Sequence, residues 1–375
     1  MAEKYSLKDE LFNLEKIRYL EGLFHAADPS FPAEAFTKQV MSQLLDLELK
    51  ARAEWIADCL AEVLPRDVEA LFTAIEKALP PPLDPNSLDD DFGDFIFWPL
   101  GEVVVRAGLD GPARPVLDML EALTQRFTME FPIRAVLNRW PDATLARMED
   151  WAMHPSSHVR RLASEGSRPK LPWGQGIGLA VEAPLPILDR LHGDRARYVT
   201  RSVANHLNDI TKTNPDLVMD RLEAWQKASH QTPKELDYMT RHALRSLIKA
   251  GHPRALEILG YKPDADVVVS DLTITPSPVA IDQKAQISFS LSASTKTPVL
   301  VDYVIDFMKS NGKTAPKVFK LKQAVVVPDQ PLVLTKAHLF KGGATTFRLY
   351  PGAHRLHVQV NGRIRASVDF DLTSA

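Results

Sequence analysis

The chain has 375 residues, 45% of them apolar and 25% charged, with a formal net charge of −3, enough for two or three domains with real cores. No run of about 18 apolar residues occurs, which excludes a membrane-spanning helix, and the opening MAEKYSLKDE lacks the apolar region of a secretion signal. The single cysteine, Cys59, excludes an internal disulfide and fits a reducing cytoplasm; with no compact His/Asp/Glu cluster beside it, a structural zinc site is not expected either.

In chain order, residues 1–100 are acidic, with 20 acidic and 9 basic side chains, while the remaining 275 carry 28 acidic and 36 basic. That asymmetry suits an anionic partner for the middle and C-terminal parts, or is ordinary surface variation. The first 260 residues are rich in Glu, Leu and Ala, all good helix formers. They are interrupted at AADPSFP, LPRD, LPPPLDPNSLDDD, HPSS, SRPKLPWG, TNPD, SHQTP and GHP. The breakers space helices of roughly 10–18 residues, as in an all-helical array.

Within this array VRRLASE, VTRSVANHLND and MTRHALRSLIK align, so that Arg161, Arg201 and Arg241 recur every 40 residues; RFTMEFPIR places Arg126 another 35 upstream. The apolar positions Val199, Val203 and Leu207 match Met239, Ala243 and Leu247. Such periods read as HEAT-like repeats, helix pairs stacked into a solenoid. After Gly260 the composition changes: the last 115 residues contain no glutamate. Short alternating runs follow: DVVVSDLTIT, QISFSLSAS, VLVDYVIDFM, KVFKLKQAVVV, LVLTKAHLF, TTFRLY, HRLHVQV and ASVDFDL, separated by turns such as NGK, PDQP and NGR. This predicts an antiparallel immunoglobulin-like sandwich. Two domains are therefore expected, a helical-repeat domain over 1–260 and a β-sandwich over 261–375, joined at GYKPDAD.

Side chains four apart share a helix face. Followed from each repeat arginine, that face reads Arg126, Glu130, Arg134; then Arg161 and Glu165 until Gly166; then Arg201, Asn205, Asp209 with Lys212; then Arg241, Arg245, Lys249. Equivalent positions on successive repeats would line one basic surface with three carboxylates set into it. Such a surface is a plausible phosphate track, since an arginine fork donates two hydrogen bonds to a phosphate. The alternative is a solvated face of i,i+4 ion pairs. Beyond Gly166, Arg168, Lys170 and Trp173 follow on a loop beside this surface, and Arg160 and Asn208 complete its set of candidate contacts.

The segments FTMEFPIRAVLNRWP (127–141), VRRLASEGSRPKLPWG (159–174), RSVANHLNDITKTNPDLV (201–218) and RHALRSLIKAGHPRALEILG (241–260) resemble the AlkC branch of the AlkC/AlkD superfamily of DNA alkylation-repair glycosylases. The resemblance spans nearly the whole helical part, and LASEGSRPKLPWG is its most specific piece. It implies a HEAT-like fold that embraces duplex DNA, needs no metal or organic cofactor, and hydrolyses the N-glycosidic bond of cationic alkylated bases, chiefly 3-methyladenine and also 3-methylcytosine; a monomer is expected. It further implies a target base that is not held in a closed pocket.

That chemistry fits the residues. A cationic base leaves as a neutral molecule, so the group needing help is the deoxyribose, which becomes oxocarbenium-like. Carboxylates aimed at it stabilise the charge, and one of them can orient or deprotonate water. Glu130, Glu165 and Asp209 are the candidates. Trp173 is a candidate for stacking on the sugar or the cationic base, or else a cap over the helix end. Trp98, Trp140, Trp151 and Trp225 are expected in packing. Eleven basic residues and one acid, Asp329, lie between Lys309 and Arg365, so the β-domain is a second candidate DNA-binding surface. The competing reading is a non-catalytic helical-repeat adaptor, which predicts the three carboxylates scattered or paired at the surface; a glycosylase predicts them converging on one site with Trp173.

Overall fold

The computed structural model describes residues 6–86, 88–89, 92–343 and 347–374; the first five residues and part of the LPPPLDPNSLDDD breaker lie outside them. The helical part runs from Leu7 to Ile258, and its breakers act as caps. The Asn13 side chain accepts a hydrogen bond from the Lys16 amide to open the helix Leu14–Ala27, and Asp67 does the same from Ala70 for Val68–Ala78. Pro141, Pro215, Pro233 and Pro253 each stand first in a helix: Pro141–Trp151, Pro215–Ala228, Pro233–Ala243 and Pro253–Ile258. Their missing N–H is harmless there, and their fixed φ favours the first turn.

The repeat is real where the pattern is longest. Helices Ser157–Glu165, Arg197–Ile210 and Pro233–Ala243 pack in sequence, each on the next, while Pro141–Trp151 and Leu185–Leu191 pack against the first. The seam consists of Val159, Leu162, Val199, Val203, Leu207, Met239 and Ala243, all without solvent exposure. At about 1.5–3 kcal/mol for each fully buried side chain of Val, Leu or Met size, this seam is what holds the stack.

Two of the four aligned copies depart from the expected helix face. Arg126 and Glu130 are not helical: one helix ends at Thr124 and the next, Ile133–Arg139, begins after Pro132. The backbone between them is committed elsewhere, because Phe127 pairs with Gly93 and the Arg126 carbonyl accepts from the Asp94 amide at 3.1 Å. Gly93 has φ +79°, and a Cβ there would sit 1.9 Å from the Arg126 oxygen, so only glycine allows this approach. The last copy is also divided. Its helix ends at Ala243, and Arg245 opens a separate helix, Arg245–Lys249. The Asn208 amide donates to the Ala243 carbonyl at 2.7 Å, the acceptor that Leu247 would need if the helix continued.

The chain divides into two compact units, one reaching Asn214 and including Trp225–Ala243, the other comprising Pro215–Ala224 and everything from Leu244 on. Among its described residues the second unit contains eight strands: β1 (Val267–Thr275), β2 (Val279–Ala280), β3 (Lys284–Ala293), β4 (Thr297–Met308), β5 (Thr314–Val326), β6 (Leu332–Leu339), β7 (Gly352–Val360) and β8 (Arg363–Thr373). They form two sheets, β1-β3-β6 and β2-β8-β7-β4-β5. Alternating residues such as Phe289, Val301, Tyr303, Leu356 and Phe370 fill the space between. The fold is thus an α-solenoid of HEAT-like repeats followed by an immunoglobulin-like sandwich. Pairing is antiparallel except for β2, a two-residue strand that the sequence pattern missed and that runs parallel to β8. The expected strand TTFRLY does not form over 347–350. Phe347 and Leu349 anchor that segment on the sandwich core by their side chains alone, and Pro351 removes a donor at its end; Thr345 and Thr346 lie outside the described residues.

Candidate functional site

Five charged side chains form one row in the helical unit, four of them buried and Glu130 partly exposed. Glu130 Oε2 accepts from Arg161 Nη1 at 2.7 Å, and Arg161 Nη2 lies 3.7 Å from Glu165 Oε1. The same Glu165 oxygen accepts from Arg168 Nη1 at 2.5 Å, and Arg168 Nε donates to Asp209 Oδ2 at 3.0 Å. The signs alternate, with carboxylates at both ends and in the middle, so the row carries one net negative charge. The half-exposed Lys212 reaches the outer oxygen of Asp209 at 3.3 Å. The row thus joins the non-helical 128–130 segment, the end of one repeat helix with the loop that follows it, and the next repeat helix.

The electrostatics follow from burial. Arg161 is 6% exposed and sits against the edge-to-face pair Phe92 and Tyr198, with its central carbon 5.2 and 4.6 Å from their centroids. Burial opposes its charge, but Tyr198, Glu130 and Glu165 outweigh that penalty and hold the guanidinium firmly protonated. Burial likewise opposes ionisation of Glu165, yet Arg161, Arg168 and a hydrogen bond from Ser202 keep its carboxyl below the usual range. Ser202 Oγ donates to Glu165 Oε2 at 2.6 Å and stands 2.9 Å from Ser164 Oγ. Behind them His206 is fully buried, its Nδ1 against the Ser164 carbonyl, and burial pushes its pKa down to about 4, so it is a neutral packing group. An apolar cluster of similar volume is often as stable as a buried ion pair or more so, and four buried charges in one row with the partly exposed Glu130 therefore point to use rather than stability.

Several expected DNA contacts are occupied inside the protein. Arg134 is 1% exposed and donates to the carbonyls of Gly166, Arg168 and Gln175, so it pins the 166–175 loop from within and does not face a phosphate. Arg160 is buried, makes a two-point contact with Asp194, and donates to the carbonyls of His154 and Pro155. Asn208 is buried against Ala243, and half-buried Arg126 donates to the carbonyls of Pro80 and Ala122. Arg168 belongs to the buried row. Each correction has one cause: once a stripe departs from an ideal helix, or its neighbours exceed one layer, a long polar side chain finds unsatisfied carbonyls closer than solvent.

Lys170 and Lys249 are exposed, and Arg201 and Arg241 are ion-paired with Asp89 and Asp237 respectively. Asn205 bonds His242 at 2.8 Å, and Arg245 is half-buried. Trp173 is no cap: it is 59% exposed and has φ +65°, and its carbonyl accepts from Lys50 Nζ at 3.2 Å. A bulky side chain held out in a left-handed backbone is a strained arrangement of the kind concentrated at working sites. Trp98, Trp151 and Trp225 are buried as expected, with Trp140 half-buried. In the β-sandwich unit, Arg355 pairs with Asp369, Arg363 with Asp264, and Arg365 caps the carbonyls of Pro263 and Ala265, while Lys309, Lys313, Lys320 and Lys322 are exposed.

Four residues escaped the sequence pattern: Thr128, Phe92, Tyr198 and Ser202. Thr128 Oγ1 bridges Arg161 and Glu130 at 3.0 and 2.9 Å. None lies on the arginine stripe, and two are aromatic residues without periodic spacing. Ser202 alone left a signal, as a buried hydroxyl beside a repeat arginine. Among the described residues, no group of three or more His, Cys, Asp or Glu side chains is placed to hold a metal ion, and no helix is long and apolar enough to cross a membrane.

Comparison with known proteins agrees with this architecture. A family model described as the C-terminal Ig-like domain of the uncharacterised protein YhaZ matches residues 268–374. The chain is 32% identical over 367 residues to the uncharacterised protein YhaZ of Bacillus subtilis, covering 97% of this chain and 98% of that protein. It is 34% identical to the solved alkylpurine DNA glycosylase AlkC of Pseudomonas fluorescens, bound there to DNA containing an abasic site analog; the match covers 98% of this chain and all of that one, with a TM-score of 0.86. With both parts of the molecule matched in order and over nearly its whole length, the chain belongs to the AlkC branch of the AlkC/AlkD superfamily.

Proposed function

We propose that this protein is a DNA glycosylase that hydrolyses the N-glycosidic bond of cationic alkylated bases, 3-methyladenine and 3-methylcytosine, in duplex DNA, acting as a monomer. The carrying observation is the row Glu130–Arg161–Glu165–Arg168–Asp209, in which two arginines fix three carboxylates at one site where they can face a developing cation. In a site of low dielectric, carboxylates fixed by arginines stabilise an oxocarbenium-like sugar without reorganising. A neutral base gains little there, because its departure needs a proton that no group in the row is poised to give. The AlkC structure, whose protein is described as an alkylpurine DNA glycosylase and is bound to DNA, supports the same reading.

In this reading residues 1–260 hold the catalytic and main DNA-binding functions and 261–375 form an accessory β-domain. Trp173 stacks on the sugar or damaged base, and Lys170, Lys212, Arg201, Arg241, Arg245 and Lys249 contribute phosphate contacts, as do the exposed lysines of the sandwich. An adaptor role is less well supported, since it expects carboxylates paired at the surface, whereas the side chains of Glu165 and Asp209 are each 5% exposed. The test is release of 3-methyladenine from methylated duplex DNA. The wild-type chain is expected to release it, and Glu165→Gln and Asp209→Asn are expected to lose most of that activity while still binding DNA. A wild-type protein that binds DNA but releases no base refutes the enzymatic reading.

A further inference from the structure

The geometry points to Glu130 as the residue that carries the attacking water, through Oε1, with Glu165 and Asp209 serving as fixed charges that move no proton; this assignment rests on the glycosylase reading above. The argument is one of oxygen atoms. Glu165 has none to spare: Oε1 is held by Arg168 Nη1 at 2.5 Å with Arg161 Nη2 at 3.7 Å, and Oε2 accepts from Ser202 at 2.6 Å. Ser202 has a single proton, committed to that carboxylate, so Ser164 Oγ donates to Ser202 in turn. Asp209 is equally engaged, with Oδ2 on Arg168 Nε and Oδ1 facing the Lys212 ammonium.

Glu130 differs. Both of its contacts, from Arg161 Nη1 at 2.7 Å and from Thr128 Oγ1 at 2.9 Å, fall on Oε2. Oε1 has no hydrogen-bond partner among the described residues. The Glu130 side chain is also the most open of the three, 13% exposed against 5% for each of the others. It is therefore a carboxylate oriented at one oxygen and free at the other, which is what a water-holding base requires. Thr128 and Arg161 are its positioning residues.

The step balances. The C1′–N bond breaks with its electron pair going to the base, which leaves neutral, and the sugar becomes an oxocarbenium ion. The water oxygen donates a lone pair to C1′, forming the new C–O bond. The proton lost from that water passes to Glu130 Oε1.

The experiment uses the full chain and single-turnover release of 3-methyladenine from methylated duplex DNA, at constant ionic strength. Glu130→Gln is expected to slow release by about 100- to 10,000-fold, the range of a general base, with DNA affinity within about threefold of wild type. Added formate is expected to restore at least about a tenth of the wild-type rate to Glu130→Ala, where it replaces the missing carboxylate, and to leave Glu165→Ala unrescued, because the side chain there is only 5% exposed and formate from solvent does not reach it. Glu130→Gln retaining more than about a tenth of the rate, or rescue of Glu165→Ala alone, overturns the assignment while sparing the glycosylase reading. A wild-type chain that releases no base overturns both.

Discussion

Ser202→Ala removes one hydroxyl and makes a prediction whose size and pH dependence both follow from the structure. Ser202 is 2% exposed and donates to Glu165 Oε2 at 2.6 Å. A hydrogen bond to a charged group contributes about 1.5–3 kcal/mol, and the substitution adds no bulk. Wild type should therefore exceed the variant by about 1.5–3 kcal/mol at neutral pH. The sign with pH is set by Glu165, whose carboxyl in the folded protein is held below the ordinary carboxylate range by Arg161, Arg168 and Ser202 against the cost of burial. A depressed carboxylate contributes stability above the unfolded value and loses it as pH falls through the folded one. The gap should stay constant from pH 7.5 to about 5 and close as Glu165 is protonated. Urea denaturation followed by the far-ultraviolet helical signal, at half-unit intervals down to pH 3.5, measures it. A gap below about 0.5 kcal/mol at pH 7, or one that widens as the pH falls, refutes the claim that Ser202 acts through the ionised carboxylate.

Other substitutions separate structure from contact. Arg134→Met leaves the buried carbonyls of Gly166 and Arg168, and the exposed one of Gln175, without this donor and should destabilise by at least about 2 kcal/mol; the salt slope of DNA binding by the folded fraction should not change, as fluorescence anisotropy across a salt series would show. Lys170→Ala and Lys212→Ala remove side chains that reach solvent, so each should lower that slope by about 1 with thermal midpoints unaltered. Trp173→Gly suits a φ of +65°, so its stability should stay within about 1 kcal/mol of wild type while base release falls sharply. A large stability loss would instead make Trp173 a packing residue.

Much of this molecule was legible because its signals are local. Prolines at first helical positions, hydrophobic spacing across Val199, Val203 and Leu207, and the disappearance of glutamate after Gly260 each act within a few residues of the structure they specify. The helix-face reading of Glu165 and Asp209 has a similar basis, since both lie on repeat helices. What failed was the step from one residue to its partner. Arg134, Arg160 and Asn208 read as surface side chains by their chemistry, but the carbonyls that occupy Arg134 and Asn208 lie 32 to 41 residues away, and Arg160 pairs with Asp194, 34 residues on. Glu130 was selected through a helix face that does not exist. It reaches the row because Gly93 draws the 126–128 backbone out of helical form, a long-range backbone contact with no periodic trace.

The alternating row also bears on how such an array can evolve. Helical-repeat proteins commonly gain and lose whole repeats, because each unit touches only its neighbours. Here the signs are distributed so that the 128–130 segment supplies one carboxylate, the 157–168 stretch two arginines and a second carboxylate, and the 197–210 helix the third. Removing or duplicating any one of these modules would strand a buried charge at a penalty of roughly 3–5 kcal/mol, a large part of a domain's stability. In this stretch of the solenoid the number of repeats is no longer free to drift, and length variation is expected at its ends instead.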